Sequence, residues 1–201
     1  MAASRRAIYG ILALTFAVAF LAPVAASAVP ITYIYSGIAS GTLNEASFND
    51  TAFVITAQAD TDNIGPWPCC ATLQNTHSSA TVELNGLGLF SFEEATHTWI
   101  SDGCCMGFGA NLSSNYLTLF SPDIVSVGYG LDTSFGPVTD PSASTQNQFV
   151  GIATSGGPLT FRAVSEVTFE ADTNPVPEPG TLLLIGSGLG GLALRRRPRA
   201  S

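Results

Sequence analysis

The chain has 201 residues, of which 46% are hydrophobic and 11% charged, with a formal net charge of −8. All 15 acidic residues fall between Glu45 and Glu178, a stretch whose only basic side chain is Arg162, and the chain contains no lysine. An acidic surface of that kind repels nucleic acid and anionic lipid headgroups, which excludes both as partners of the central region.

At the N-terminus, Arg5 and Arg6 precede an apolar run over 8–22 and then Ala26-Ser27-Ala28, a small-x-small cleavage site. This order predicts a signal peptide over 1–28, cut by signal peptidase before Val29. The run is too short for a comfortable membrane span. Ser4-Arg5-Arg6-Ala7-Ile8 also resembles a twin-arginine signal, so both export routes stay open.

Residues 29–173 are long enough for one exported domain with a real core. Strand signals follow one another along it: ITYIYSG (31–37), AFVITAQAD (52–60), ATVEL (80–84), LGLFSF (87–92), THTWI (96–100), YLTLF (116–120), IVSVGYG (124–130), QFVGIA (148–153) and LTFRAVSEVTFEAD (159–172). These runs are rich in Val, Ile, Thr, Phe and Tyr, and turn residues punctuate them about every ten positions. The expectation is an all-β fold: an antiparallel β-sandwich, jelly-roll-like, or a small barrel. Asn85-Gly86 predicts a hairpin turn. Asp102-Gly103 predicts a turn into the second cysteine pair, and FGPVTDPSASTQN (135–147) reads as a long surface loop.

The four cysteines form two adjacent pairs, Cys69-Cys70 and Cys104-Cys105. In an exported chain an even count reads first as disulfides. A bond within an adjacent pair needs a strained eight-membered ring, so two bridges between the pairs are expected. Each would close a loop of about 35 residues, worth on the order of 2–4 kcal/mol and less when doubled across one gap.

Candidate chemistry is sparse. His77 and His97 lie between the cysteine pairs, but zinc ligands usually pair at C-x2-C spacing, so disulfides with two surface histidines are the better reading and no metal is assigned. Asp60-Thr61-Asp62-Asn63-Ile64-Gly65 begins like a calcium loop, yet Ile64 and Ala71 occupy its fifth and twelfth positions, which makes it a turn after a strand. Glu93 and Glu94 are adjacent and point to opposite faces of a strand, so they cannot act as a paired acid and base. No serine sits in a G-x-S-x-G elbow. Gly186-Ser187-Gly188-Leu189-Gly190-Gly191 matches a dinucleotide fingerprint by accident, because no strand, helix and downstream acid surround it. The same glycines give the G-x-x-x-G spacing that packs membrane helices. Asn49-Asp50-Thr51 and Asn111-Leu112-Ser113 fit glycosylation sequons, a pattern common by chance. The expectation is a non-catalytic domain without cofactor; Trp67, Trp99 and the tyrosines could stack on sugars, though aromatics in strands more often belong to the core. The alternatives are an extracellular hydrolase, or a calcium- or carbohydrate-binding module, with a site the sequence does not display.

The tail, 174–201, carries the sharpest signal. Val176-Pro177-Glu178-Pro179 is followed by an apolar stretch over 181–194 and then by Arg195, Arg196, Arg197 and Arg199. As a helix that stretch spans only about 21 Å against a bilayer core of about 30 Å, a marginal transmembrane helix unless arginine stems snorkel. The positive-inside rule keeps the arginines cytoplasmic, so the helix acts as a stop-transfer for an exported domain. With a leader at the other end, this order resembles the PEP-CTERM proteins of Gram-negative bacteria. The resemblance implies recognition by an exosortase, a membrane protease-transpeptidase, which removes the tail after a transient membrane-anchored stage. It further implies delivery to the cell surface or extracellular matrix, often with exopolysaccharide and biofilm. It covers about the last 25 residues and leaves the ligand of the central domain open, polysaccharide among the candidates.

Overall fold

The structure, a computed structural model, describes residues 28–66, 73–101, 103–110, 115–120, 128–145 and 149–173. All fall within one compact unit, Ala28–Val176. Its strands are β1 (Pro30–Leu43), β2 (Ala46–Pro66), β3 (Leu73–Leu84), β4 (Gly88–Ser91), β5 (Thr96–Ser101), β6 (Cys105–Ala110), β7 (Asn115–Leu119), β8 (Phe135–Asp140) and β9 (Leu159–Thr173). Among the described residues there is no helix.

The pairing follows from alternation. In β1, Ile31, Tyr33 and Tyr35 point inward and are wholly buried, while Thr32 and Ile34 alternate outward. Each inward row needs a neighbour with the same phase. β2 supplies one on one side, with Tyr33 opposite Ala57, and β9 supplies one on the other, with Tyr35 opposite Phe169. The strands run in the order β7-β6-β5-β3-β2-β1-β9-β8 in a single antiparallel sheet, with β4 beside the far half of β3. The all-β antiparallel expectation therefore holds. Of the two architectures expected, the single curled sheet is the barrel, not two stacked sheets.

The ends of the sheet come close to meeting. The Thr118 N–H donates to the Ser144 carbonyl at 2.8 Å, and the Ser144 N–H returns a bond to the Thr118 carbonyl at 2.9 Å. Beside them the Phe120 N–H donates to Asp140 Oδ2, and Asp140 Oδ1 accepts from the backbone and hydroxyl of Ser142 at 2.8 and 2.7 Å. One buried carboxylate thus ties β7 to the chain that leaves β8, where a ladder of backbone bonds gives out.

Two hairpins show why the turns fall where they do. Asn44 and Glu45 both take positive φ, 46° and 68°, which makes a two-residue turn whose twist matches its strands. At Asn85-Gly86 the expected hairpin is present: Gly86 has φ 79°, and the Leu87 N–H closes on the Leu84 carbonyl at 2.9 Å.

Several expectations are corrected. Residues 135–140 form strand β8 and not a loop. Pro137 is tolerated because β8 pairs with β9 alone and its register shifts between Phe135 and Val138, so no ladder donor is missed there. β6 was not expected, since Cys105-Met106-Gly107-Phe108-Gly109-Ala110 has two glycines and few β-formers. The glycines are there for clearance: a Cβ on Gly107 would stand 2.0 Å from the Leu117 carbonyl oxygen, and one on Gly109 would stand 2.5 Å from the His97 ring. β2 runs through Asp60 to Pro66 and does not turn at the acids; its register against β3 jumps between Ala59 and Ile64. Of the expected strand over 124–130, the described part, 128–130, is not strand, and residues 149–153 form only an isolated bridge between Ile152 and Leu159.

Among the described glycines, Gly41 marks the tightest approach in the barrel wall. A Cβ at this position would lie 1.9 Å from the Thr160 carbonyl oxygen, on the neighbouring strand β9. The obstacle is backbone and cannot rotate away. Gly41→Ala is expected to destabilise the fold by about 1–3 kcal/mol, read as a lower calorimetric Tm. An unchanged Tm would show that β1 and β9 slide past each other freely here.

Candidate functional site

A bulge in β3 decides what the barrel encloses. Gln58 pairs with Ser79 and the next residue, Ala59, with His77, so Ser78 is left over. Its hydroxyl donates to the Gln58 carbonyl at 3.1 Å. The extra residue shifts the inward phase of the strand by one. Ala80, Val82 and Leu84 face the core beyond the bulge; before it, Asn75 and His77 do.

These side chains meet a polar stripe inside an otherwise aromatic core. His77 Nδ1 is hydrogen-bonded to Thr96 Oγ1 at 2.9 Å and His77 Nε2 to Thr98 Oγ1 at 3.0 Å, and Thr98 Oγ1 also meets the Tyr35 hydroxyl at 3.0 Å. Asn75 Nδ2 donates to the Tyr33 hydroxyl at 2.9 Å, which donates in turn to the Leu131 carbonyl at 2.6 Å. Asn75 Oδ1 has no protein partner in this buried setting. Burial, reinforced by the nearby His97, pulls the His77 pKa down to about 3, and burial alone takes His97 to about 4. Both rings are neutral at ordinary pH. Burial likewise pushes the Tyr33, Tyr35 and Tyr129 hydroxyls well above their usual range. The stripe therefore holds no proton donor or acceptor poised near neutrality, and its imidazole is enclosed by Tyr33 and Phe108 rings at 5.8 and 5.6 Å.

The histidines expected at the surface are thus buried, His77 to 9% exposure and His97 to 2%. The bulge accounts for His77. His97 lies on the opposite face of β5, across from Gly109, where the missing side chain leaves room for its ring. Trp99 is also buried, with its ring edge-on to Tyr116 at 5.7 Å, and Tyr33, Tyr35 and Tyr129 belong to the core. These rings therefore offer no open face to a sugar. Trp67 lies outside the described residues.

At the second cysteine pair, the Cys104 and Cys105 sulfurs lie beside each other. The chain turns tightly here: Gly103 has φ 70°, and the Cys104 N–H donates to the Ser101 carbonyl at 3.0 Å. That turn leaves Cys104 exposed while Cys105 enters β6 facing inward from solvent. Cys69 and Cys70 lie outside the described residues.

On the outer surface, a shallow depression between β1, β2 and β9 is lined by Ser40, Asp50 and Ser165 among others. Its polar groups satisfy one another: the Asp50 N–H donates to Ser40 Oγ at 2.9 Å and Ser40 Oγ donates to Asp50 Oδ1 at 3.3 Å. Glu94 is engaged in the fold, its Oε1 accepting from the Ala153 N–H at 2.7 Å. Asp62 N–H donates to Asp60 Oδ1 at 2.9 Å within β2. Among the described residues no three His, Cys, Asp or Glu side chains gather as a metal-binding group. Asn49 of the first sequon is exposed on β2, while the second sequon begins outside the described residues.

The residues carrying the sorting signal also fall outside them: Ala26, Val176, Pro177, Glu178, Pro179, Arg195, Arg196, Arg197, Arg199 and the apolar stretch 181–194. Ala28 is described, next to Val29, whose N–H donates to Thr61 Oγ1 at 3.1 Å and whose carbonyl accepts from the Thr61 N–H at 3.1 Å. Among the described residues no helix is long and apolar enough to cross a membrane.

Comparison with known families finds a match to the PEP-CTERM protein-sorting motif over residues 175–197. The chain thus carries that motif, on the residues from which the sequence resemblance was read. It implies an exported protein sorted by an exosortase. Neither the curated proteins nor the solved structures contain a match to the chain.

Proposed function

We propose that this chain is an exosortase-sorted protein of the cell surface or extracellular matrix, whose β-barrel has a non-catalytic, structural or adhesive role beside exopolysaccharide. The observation that carries the reading is the sorting motif over 175–197, preceded by a folded acidic domain and, at the other end of the chain, by a leader-like segment. Signal peptidase cuts before Val29. The apolar stretch 181–194 holds the domain at the membrane while the arginines stay on the cytoplasmic side, and exosortase removes the tail near Pro177-Glu178-Pro179. A non-catalytic role is supported by the chemistry of the barrel: the described histidines are buried and neutral, and the carboxylates of Asp50, Asp60 and Glu94 accept hydrogen bonds from the fold itself.

The test is the mass of the mature C-terminal peptide from native cells with and without their exosortase. Loss of everything beyond the Pro177-Glu178-Pro179 region only when the enzyme is present is the expected result. A chain ending at Ser201 in both strains would overturn the sorting role and leave a membrane-anchored protein.

A further inference from the structure

Both ends of the barrel domain leave from the same pole. β1 begins at Pro30 and β9 ends at Thr173, and these antiparallel neighbours pair with Ile31 opposite Thr173. Val29 is tied to Thr61, and the Thr173 N–H donates to Ser134 Oγ at 3.0 Å, so this near pole gathers Val29, Thr61, Ser134 and Thr173. The opposite pole is built from the Asn44-Glu45 turn, the Asn85-Gly86 turn and the approach to β9. The Asn44 N–H reaches the Pro158 carbonyl at 2.9 Å, and the Asn85 N–H reaches the Ala52 carbonyl at 2.9 Å. The large hydrophobic side chains exposed among the described residues, Leu87, Leu89 and Val150, all belong to this far end.

We propose that the barrel is held with its near pole toward the membrane and displays the far pole, with its two hairpin turns and exposed apolar side chains, away from it. The proposal rests on the tail acting as the anchor, as argued above. A fully inverted domain would dip Leu87, Leu89 and Val150 into the bilayer, and lengths exclude it. Residues 174–180 join Thr173 to the apolar stretch and reach at most ~25 Å when fully extended, whatever path they take. The 14 residues of β1 measure roughly 45 Å along the strand, or about 35 Å along the axis of a barrel with tilted strands. The tether is shorter than the barrel, so an upright domain cannot bring its far pole back to the bilayer. The same geometry outlasts processing. The new C-terminus emerges from the near pole, so attachment through it again leaves the far pole outermost.

The full chain with its tail uncut, reconstituted in phosphatidylcholine vesicles that carry a headgroup-linked energy-transfer acceptor, tests this. A donor dye is clicked onto Thr133→azidophenylalanine, beside the near pole, or onto Asn85→azidophenylalanine, at the far pole; both positions are exposed. In protein that floats with the vesicles, transfer from position 133 is expected to exceed that from position 85 several-fold. Equal transfer, or stronger transfer from position 85, would overturn the proposed orientation while leaving the anchor intact. Folded chain that does not float with the vesicles would overturn the anchor itself, and the orientation with it.

Discussion

Phe169→Ala is expected to lower the unfolding free energy by about 3–5 kcal/mol, the usual cost of emptying a buried phenylalanine site. Phe169 is wholly buried at the middle of β9, and its ring stands 5.1 Å from Tyr35, 6.2 Å from Tyr33, 6.2 Å from Tyr129 and 6.2 Å from Phe135. These partners come from β1, from β8 and from the segment before β8, so one side chain knits the region where the sheet curls toward closure. The wall cannot collapse to refill the space, because β9 is held in ladders on both sides, to β1 and to β8. Against a total stability of about 5–15 kcal/mol for an ordinary domain, such a loss leaves a substantial unfolded fraction. Urea unfolding followed by tyrosine and tryptophan fluorescence reads it directly. A loss below about 1 kcal/mol would mean that the aromatic cluster is loosely packed and not close-packed.

The strands that the sequence made legible were those whose pattern is local. ITYIYSG and AFVITAQAD alternate cleanly, LTFRAVSEVTFEAD alternates on either side of an irregular stretch over 162–166, and the neighbouring strands β2, β1 and β9 contain them. What escaped depended on partners distant in sequence. Gly107 and Gly109 look like turn residues until the Leu117 carbonyl and the His97 ring are seen to need their space. Pro137 looks like a loop residue until β8 is found to pair on one side only. The lengths of β1 and β2 also exceeded their apolar alternation, because pairing carries both strands into polar ends that hydrophobic pattern does not mark.

The polar interior was hidden for a related reason. Thr76-His77-Ser78-Ser79 reads as a hydrophilic outward run, and only the slip between Gln58 and Ala59 reveals which of these residues turns inward. A pair of adjacent serines before an apolar alternation is a fair bulge signal in hindsight, though serine is equally at home in a regular edge or loop. The tail presents the opposite case. Its meaning lies in the order of short segments, a Pro-Glu-Pro, an apolar stretch and arginines, which needs no tertiary partner to be recognised. The sorting motif was therefore legible from sequence, while the interior that makes the barrel stable was not.

Acid should weaken this barrel well above the pH at which the carboxylates ordinarily titrate, and His77 should account for a large part of the effect. His77 holds a pKa near 3 and His97 one near 4 in the fold, against an ordinary 6.5 in the unfolded chain. Between those values the unfolded state binds protons that the native state refuses, so stability rises with pH across the window. The contribution is complete above about pH 6.5 and is lost as pH falls, through about 4 for His97 and about 3 for His77. Within that window each histidine contributes a slope of up to about 1.4 kcal/mol per pH unit, which makes the loss by pH 4 several kcal/mol. The groups packed on the His77 ring are the Thr96 and Thr98 hydroxyls and the Tyr33 and Phe108 rings, none of which can neutralise an imidazolium. Urea unfolding at pH 7.5, 5.5 and 4.5 is expected to show the decline. His77→Gln removes one titrating site while keeping an amide that can hydrogen-bond to the threonines, so the variant should start less stable at pH 7.5 and then decline with about half the slope. Parallel pH profiles for the two proteins would mean that His77 is protonated inside the barrel without penalty, and would refute a neutral, desolvated imidazole as the origin of acid sensitivity.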